Sequence, residues 1–243
     1  LYVSRPGTEL IVSINQPAYL PWLGYFHRIA VSDLHIVLDH VQFEKNSYTN
    51  RNKVRIKNGW SWLTVPVKSG GKFPHLYINQ LEIANESRWA KKHLATLRFS
   101  YGKAPYFALH TSYFEGVYSH RWDLLKDLVR ETTSYLLDAF GIRTPLLYSS
   151  EMNAKGQKDE LLLNLCRAVG AKVYVSGPLG RNYLREQLFE ACGIKVVYQN
   201  YIHPTYQQVY PGFEPGMSAI DLLFNHGPNG LQILMKNQEP IFT

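Results

Sequence analysis

Apolar residues along the chain switch between short continuous runs and helical spacing, and this switching is the first guide to the fold. Ile11, Val12 and Ile14 make a short apolar run, the mark of a buried strand. Polar and proline-containing positions follow, and Trp22-Leu23-Gly24-Tyr25-Phe26 then opens an amphipathic helix over 22–31. A second run, Leu34-His35-Ile36-Val37-Leu38, ends at Asp39. Strand, helix and strand form a βαβ unit whose right-handed crossover makes the two strands parallel. Two β-like stretches at 53–57 and 61–68 flank Asn58-Gly59, a dipeptide that favours a tight hairpin turn.

Helical spacing takes over between 85 and 141, with segments at 87–101, 106–118 and 121–140. The last carries Leu124, Leu125, Leu128, Tyr135 and Leu136 on one stripe. This stretch reads as a helical insert. The α/β rhythm then resumes with strand 145–148, helix 157–169, strand 172–175, helix 180–192 and strand 195–198. A proline-rich stretch from His203 to Pro215 leads to a last helix at 218–225. Alternating strands and helices joined by short loops predict a single α/β domain over 1–243. The expected architecture is a Rossmann-like, mostly parallel sheet with helices on both faces, plus a β-hairpin and a helical insert.

Composition narrows this picture. At 243 residues and 45% apolar content the chain can bury a full core. No apolar stretch approaches a membrane span, and the first ten residues lack the charged-then-apolar order of a signal peptide. Cys166 and Cys192 do not make a disulfide framework, so a reducing cytoplasm is the expected compartment. A net charge of +7 points either to an anionic partner, such as a nucleotide, a nucleotide sugar or RNA, or simply to a basic surface.

In an open α/β sheet, ligands sit where loops leave the carboxyl ends of the strands. The first such loop offers Gln16, Tyr19 and Trp22 as liners. Another, Ser176-Gly177-Pro178-Leu179-Gly180-Arg181, can cradle an anion with backbone N–H groups and the forked cation of Arg181, with Tyr183 close behind. Ser149 and Ser150 end the preceding strand. Between 39 and 53, Lys45, Arg51 and Lys53 could face phosphates beside Asn52, and Tyr48, Trp60 and Trp62 could stack on a base or sugar. The bland alternatives are an ordinary glycine-containing turn, a solvated charged loop and aromatics packed in the core. No set of histidines or cysteines has metal-ligand spacing. Cys166 shares an inward stripe with Leu162 and Leu165, where a buried inert thiol is the usual outcome. Ser218 reads as a helix N-cap, Asp221 as its capping-box acid, and Asn225 and Gly227 as the helix end. Asp221 is also the first carboxylate to test as a general base.

Four stretches, QPAYLPWLGYFHRI, QFEKNSYTNRNKV with GWSWLTVPV, SGPLGRNYL, and SAIDLLFNHGP, together resemble the WbqC-like family, in order and over nearly the whole chain from Ile11 to Pro228. The resemblance implies a bacterial protein associated with O-antigen or amino-sugar gene sets. It further implies acyl or aminoacyl transfer, for instance of glycine, to the amine of a 4-amino sugar nucleotide. An activated acyl or aminoacyl donor would be needed, and no other cofactor is expected. The family's first motif commonly begins His-Gln-Pro; here Asn15 holds the histidine's place, and asparagine hydrogen-bonds without titrating. Asn15 and Asp221 are thus the catalytic candidates, with Asn225 in the same final motif as a further substrate contact. Trp22-Leu23-Gly24-Tyr25 is also similar to the HIGH motif of nucleotidylyltransferases, with aromatics replacing both histidines. That fold-level likeness supports a Rossmann-like fold but not adenylyl transfer. Two other readings compete with a transferase. One is an RNA or aminoacyl-tRNA binder using the 45–55 stretch. The other is a non-catalytic partner in a sugar-modifying complex, presenting exposed aromatics.

Overall fold

The computed structural model describes residues 9–70 and 76–238. The stretch read for a signal peptide falls almost wholly outside them. The chain runs through β1 (Ile11–Asn15), α1 (Leu23–Ala30), β2 (Leu34–Val37), β3 (Arg51–Ile56), β4 (Gly59–Thr64), α2 (Trp89–Tyr101), α3 (Phe107–Ser119) and α4 (Leu125–Phe140). It continues with β5 (Leu146–Tyr148), α5 (Lys158–Val169), β6 (Val173–Ser176), α6 (Glu186–Glu190), β7 (Lys195–Tyr198), α7 (Ala219–His226) and α8 (Gly230–Leu234).

Five strands form one parallel sheet in the order β5-β2-β1-β6-β7. The chain builds outward from β1 through β2 to β5, then crosses back to place β6 on the other side of β1. The order therefore reverses between β1 and β6, and at such a point the loops leave in opposite directions and open a crevice.

Side chains alternate across the sheet. Val12, Ile14, Leu34 and Ile36 face one core with Leu161, Leu165 and Cys166 of α5 and Phe189 of α6. The opposite face of the central strands carries polar side chains among its valines. Ser13 Oγ lies 2.8 Å from His35 Nδ1, and the Tyr25 ring of α1 meets the His35 ring at 5.7 Å. Beyond α1 lies a second, larger core in which Leu23, Phe26 and Ile29 pack with the hairpin (Val54, Leu63), with α2 to α4 and with α7.

The loop between β1 and α1 is fastened by the hairpin and α7. Asn52 Nδ2 donates to the Leu20 carbonyl at 2.7 Å, Tyr19 N–H to Tyr48 O at 3.1 Å, and Ala219 N–H to Pro21 O at 2.8 Å. Leu20 has φ of 45°, an unusual backbone for a branched residue that persists only where the surroundings fix it.

Three local expectations change. Ile56 pairs with Gly59, so Lys57-Asn58 make the hairpin turn and Gly59, at φ 94°, opens β4. The helix expected over 180–192 is instead a 3-10 turn, Pro178–Asn182, followed by the short α6. The break has a cause: Asp159 accepts from the Arg185 backbone N–H and from its guanidinium, at 3.3, 2.7 and 3.0 Å, which takes that N–H out of any helical ladder. At α7, Ser218 does cap the helix, accepting from Ile220 N–H, but the Asp221 carboxylate turns away from the cap. No helix among the described residues is long and apolar enough to cross a membrane.

Candidate functional site

The switch point between β1 and β6 is organised around Arg28. Its position on α1, three residues after Tyr25 and one before Ile29, places it on the inward stripe of the helix, and it is only 6% exposed. Nη1 donates to Asn15 Oδ1 at the end of β1 (2.9 Å), and Nε to Gln199 Oε1 just past β7 (3.0 Å). No carboxylate among the described residues forms an ion pair with it. Burial pushes its pKa down, yet a guanidinium remains charged at any physiological pH. Buried charges are ordinarily paired. Gly177 closes over this group: a Cβ there would stand 2.8 Å from Nη2 and 3.1 Å from Cζ. Only glycine lets the end of β6 lie so close to the guanidinium.

Because arginine can only donate, it fixes the orientation of its neighbours. Gln199 must present Oε1 to Arg28, so its Nε2 donates to Gly24 O (2.9 Å) and to His27 Nδ1 (2.8 Å). His27 therefore accepts at Nδ1 and carries its proton on Nε2. Burial, and then the Arg28 charge, lower the His27 pKa to about 4, so the ring is neutral at pH 7. Asn15 likewise presents Oδ1 to Arg28, which leaves Nδ2 turned away. Asn15 Nδ2 and His27 Nε2 are both buried without an acceptor, and Arg28 Nη2 makes no hydrogen bond within the described residues. Buried donors are normally satisfied, and a donor beside a cation is suited to an anionic group.

A second polar group stands at the ends of β2 and β5. Asp39 Oδ1 accepts from Ser149 Oγ (3.0 Å) and Ser150 N–H (2.8 Å), and Oδ2 accepts from Ser150 Oγ (2.7 Å). Ser149 Oγ in turn accepts from the Asp39 N–H at 3.0 Å. With the one Ser149 proton given to Asp39, His40 Nδ1 is the donor in its 2.6 Å contact with Ser149 Oγ. Asp39 and Ser150 line a cleft with Pro17, Tyr25, Tyr148 and the first half of α4.

Several residues singled out in the sequence flank the Arg28 crevice. Asn15, Gln16, Ser176 and Gly177 lie at its strand ends. Gly180 packs so closely that a Cβ would come within 2.2 Å of Ser176 Oγ. Tyr183 is exposed and near enough for the Arg28 charge to act on its hydroxyl. Arg181 is exposed, with its guanidinium 4.4 Å from the Tyr198 ring centroid. Trp22 borders the neighbouring surface, where the rings Trp22, Tyr48, Trp62 and Trp60 follow one another at 5.2 to 5.7 Å. Arg51 lies 4.2 Å over Trp62, and Lys53 4.2 Å over Trp60. Lys45 is exposed on the preceding loop.

Other candidates are placed elsewhere. Tyr19 is fully buried, and its hydroxyl meets His93 Nδ1 at 3.0 Å and Tyr118 Oη at 2.6 Å. Asn52 is fully buried in its bond to Leu20. Asp221 is also fully buried: Tyr206 Oη and Gln208 Nε2 each donate to Oδ2 at 2.9 Å, and burial raises its pKa. The carboxylate read as the first to test as a general base is therefore buried and hydrogen-bonded within the protein. Asn225 belongs with it, donating to the Asp221 carbonyl at 2.7 Å. Arg28, His27, Gln199 and Asp39 were not singled out from sequence. Arg28 had one available signal, a cation placed on the apolar stripe of a helix.

An open parallel sheet whose strand order reverses between β1 and β6, with a buried guanidinium at the reversal, defines a doubly wound α/β protein. The chain belongs to the WbqC-like protein family, which it matches over residues 16–233. It is also similar to "Uncharacterized protein Rv1507c" of Mycobacterium tuberculosis, 38% identical over 222 residues that cover 89% of this chain and 94% of that one. No solved structure matches it.

Proposed function

We propose that the protein binds a nucleotide-activated amino sugar in the β1/β6 crevice and transfers an acyl or aminoacyl group to its amine. The uncompensated Arg28 guanidinium is the observation that supports this reading. It calls for a phosphate or other anion, and Asn15 Nδ2 supplies a second donor for the same group. In the reaction the free amine attacks the donor's carbonyl carbon, an N–C bond forms, the bond to the leaving group breaks, and the amine gives up a proton to a base. Asn15 cannot be that base.

The test is to incubate the protein with amino-sugar nucleotides and a panel of activated acyl and aminoacyl donors, and to follow the sugar nucleotide by mass spectrometry. The expected result is a mass gain matching one acyl group, absent with Arg28→Met. No gain with any pairing would overturn it.

A second reading, RNA or aminoacyl-tRNA binding, draws support from the aromatic ladder and its cations Arg51 and Lys53. It requires tRNA binding that weakens steeply with salt; no binding at low salt removes it. A non-catalytic docking role draws less support, because among the five tryptophans only Trp60 is exposed.

A further inference from the structure

Arg28 is not the only buried charge at this sheet edge that lacks an oppositely charged partner among the described residues. Asp39 is 4% exposed and forms no ion pair among the described residues. Its partners, Ser149 and Ser150, are all neutral donors. Two cations of α4, Lys126 and Arg130, line the same cleft, but neither is bonded to it. Arg130 is held by Glu151 at 3.1 Å and by the Tyr148 ring, 4.0 Å to its centroid. Among the described residues Oδ2 accepts only the Ser150 hydroxyl, which leaves a lone pair available in the cleft wall.

The two charges are opposite in sign, and sheet geometry sets their separation. Arg28 straddles the ends of β1 and β6, and Asp39 those of β2 and β5, two strand positions away. At one strand spacing of just under 5 Å, this is roughly 10 Å. That is too far for a salt bridge, and both face the same carboxyl edge.

We infer that Asp39 receives a primary ammonium on the same ligand whose anionic group sits on Arg28. This rests on the Arg28 crevice as the anion site and adds the other end of the molecule. A free amino acid, with one carbon between its charged groups, is too short to reach both. A sugar phosphate with its amine across the ring from the phosphate has the required length. The serines set the specificity: they hold the carboxylate by one backbone and two hydroxyl donors, and a neutral hydroxyl or acylated nitrogen in the amine's place would leave the charge uncompensated.

Isothermal titration with three probes tests this: a UDP-linked 4-amino-4-deoxy sugar, its 4-hydroxy counterpart and its N-acetylated form. The wild-type protein should bind the amine form about tenfold or more tightly than the other two, the scale of a charged hydrogen bond. Asp39→Asn, which keeps an oxygen for the Ser149 and Ser150 donors, should remove that preference without removing binding. Ser150→Ala, the milder variant, should reduce it. Equal affinities in the wild-type protein, or a preference that survives in Asp39→Asn, would overturn the inference. If the three probes bind equally and through Arg28, only the Asp39 assignment falls. If none binds, the proposed substrate class falls with it. Binding of glycine alone, lost in Asp39→Asn, would assign the charged pair to an amino acid and overturn the sugar-length argument.

Discussion

Arg28 Nη1 donates to Asn15 Oδ1 at 2.9 Å, and this amide oxygen stands where a carboxylate would ordinarily neutralise a buried guanidinium. The pairing leaves the positive charge available. It also leaves the buried Asn15 Nδ2 free to donate, so one residue both holds the cation and carries a second donor.

Asn15→Asp should supply the missing counterion internally. The change is isosteric, and the second oxygen replaces a nitrogen that has no acceptor. Stability should rise by about 1.5–3 kcal/mol, the range for hydrogen bonds to charged groups, while affinity for an anionic ligand falls. Calorimetric melting and ligand titration check both. Unchanged affinity would mean that Arg28 does not hold the anion.

Gly177→Ala should act on the site rather than on the fold. The added methyl meets the Arg28 guanidinium at 2.8 Å, and the far end of that side chain can move only by breaking its bonds to Asn15 and Gln199. The expected outcome is a melting temperature within about 4 °C of wild type, equivalent to 1–2 kcal/mol in a chain of this size, with clearly weaker anion binding. Wild-type affinity would show that the close approach of β6 is not needed.

Asp221→Ala separates a structural carboxylate from a catalytic one. Tyr206 and Gln208 would each lose an acceptor, and an unsatisfied buried group costs about 1–3 kcal/mol. Lower stability with undiminished turnover, once the substrate is known, is expected. A loss of turnover in protein that remains folded would restore Asp221 as the base.

Three buried histidines set an acid limit on stability. Burial lowers the pKa of His27 to about 4, His35 to about 3 and His93 to about 4, against an ordinary value of 6.5. Between these values the unfolded chain binds the extra protons, so unfolding becomes more favourable as pH falls. Stability should be full above about pH 6.5 and decline toward pH 4. Asp159, held at about 2 by Arg185, adds a further loss as pH falls from the ordinary carboxylate value toward 2. Melting temperatures measured across pH 7 to 4 check this; a flat profile would contradict it.

The fold was legible because it rests on periodicity. The runs at Ile11, Leu34, Lys172 and Lys195 each resolve into a strand, and the loops joining them to helices are short enough to force parallel pairing. The site was only half legible. Ser176, Gly177 and Asn15 sit at strand ends, where chain position alone marks them. Arg28 and Gln199 act through burial and mutual orientation, which no local pattern expresses. Asp39 was visible only as the end of a strand, since Ser149 and Ser150, which hold it, lie more than a hundred residues away. Asp221 shows the reverse case: its spacing from Ser218 suggested a capping box, but tertiary partners from the 206–208 segment captured the carboxylate.

The central claim is that Arg28 is the anion-binding group of a nucleotide-sugar site. Thermal melting of wild-type and Arg28→Met protein in a panel of nucleotide sugars tests it most directly. A ligand that binds only the folded state stabilises it by about 2.7 kcal/mol at one hundred times its Kd. At least one nucleotide sugar should raise the wild-type Tm and leave the variant unmoved. No shift with any member of the panel, or an equal shift in Arg28→Met, would contradict the claim.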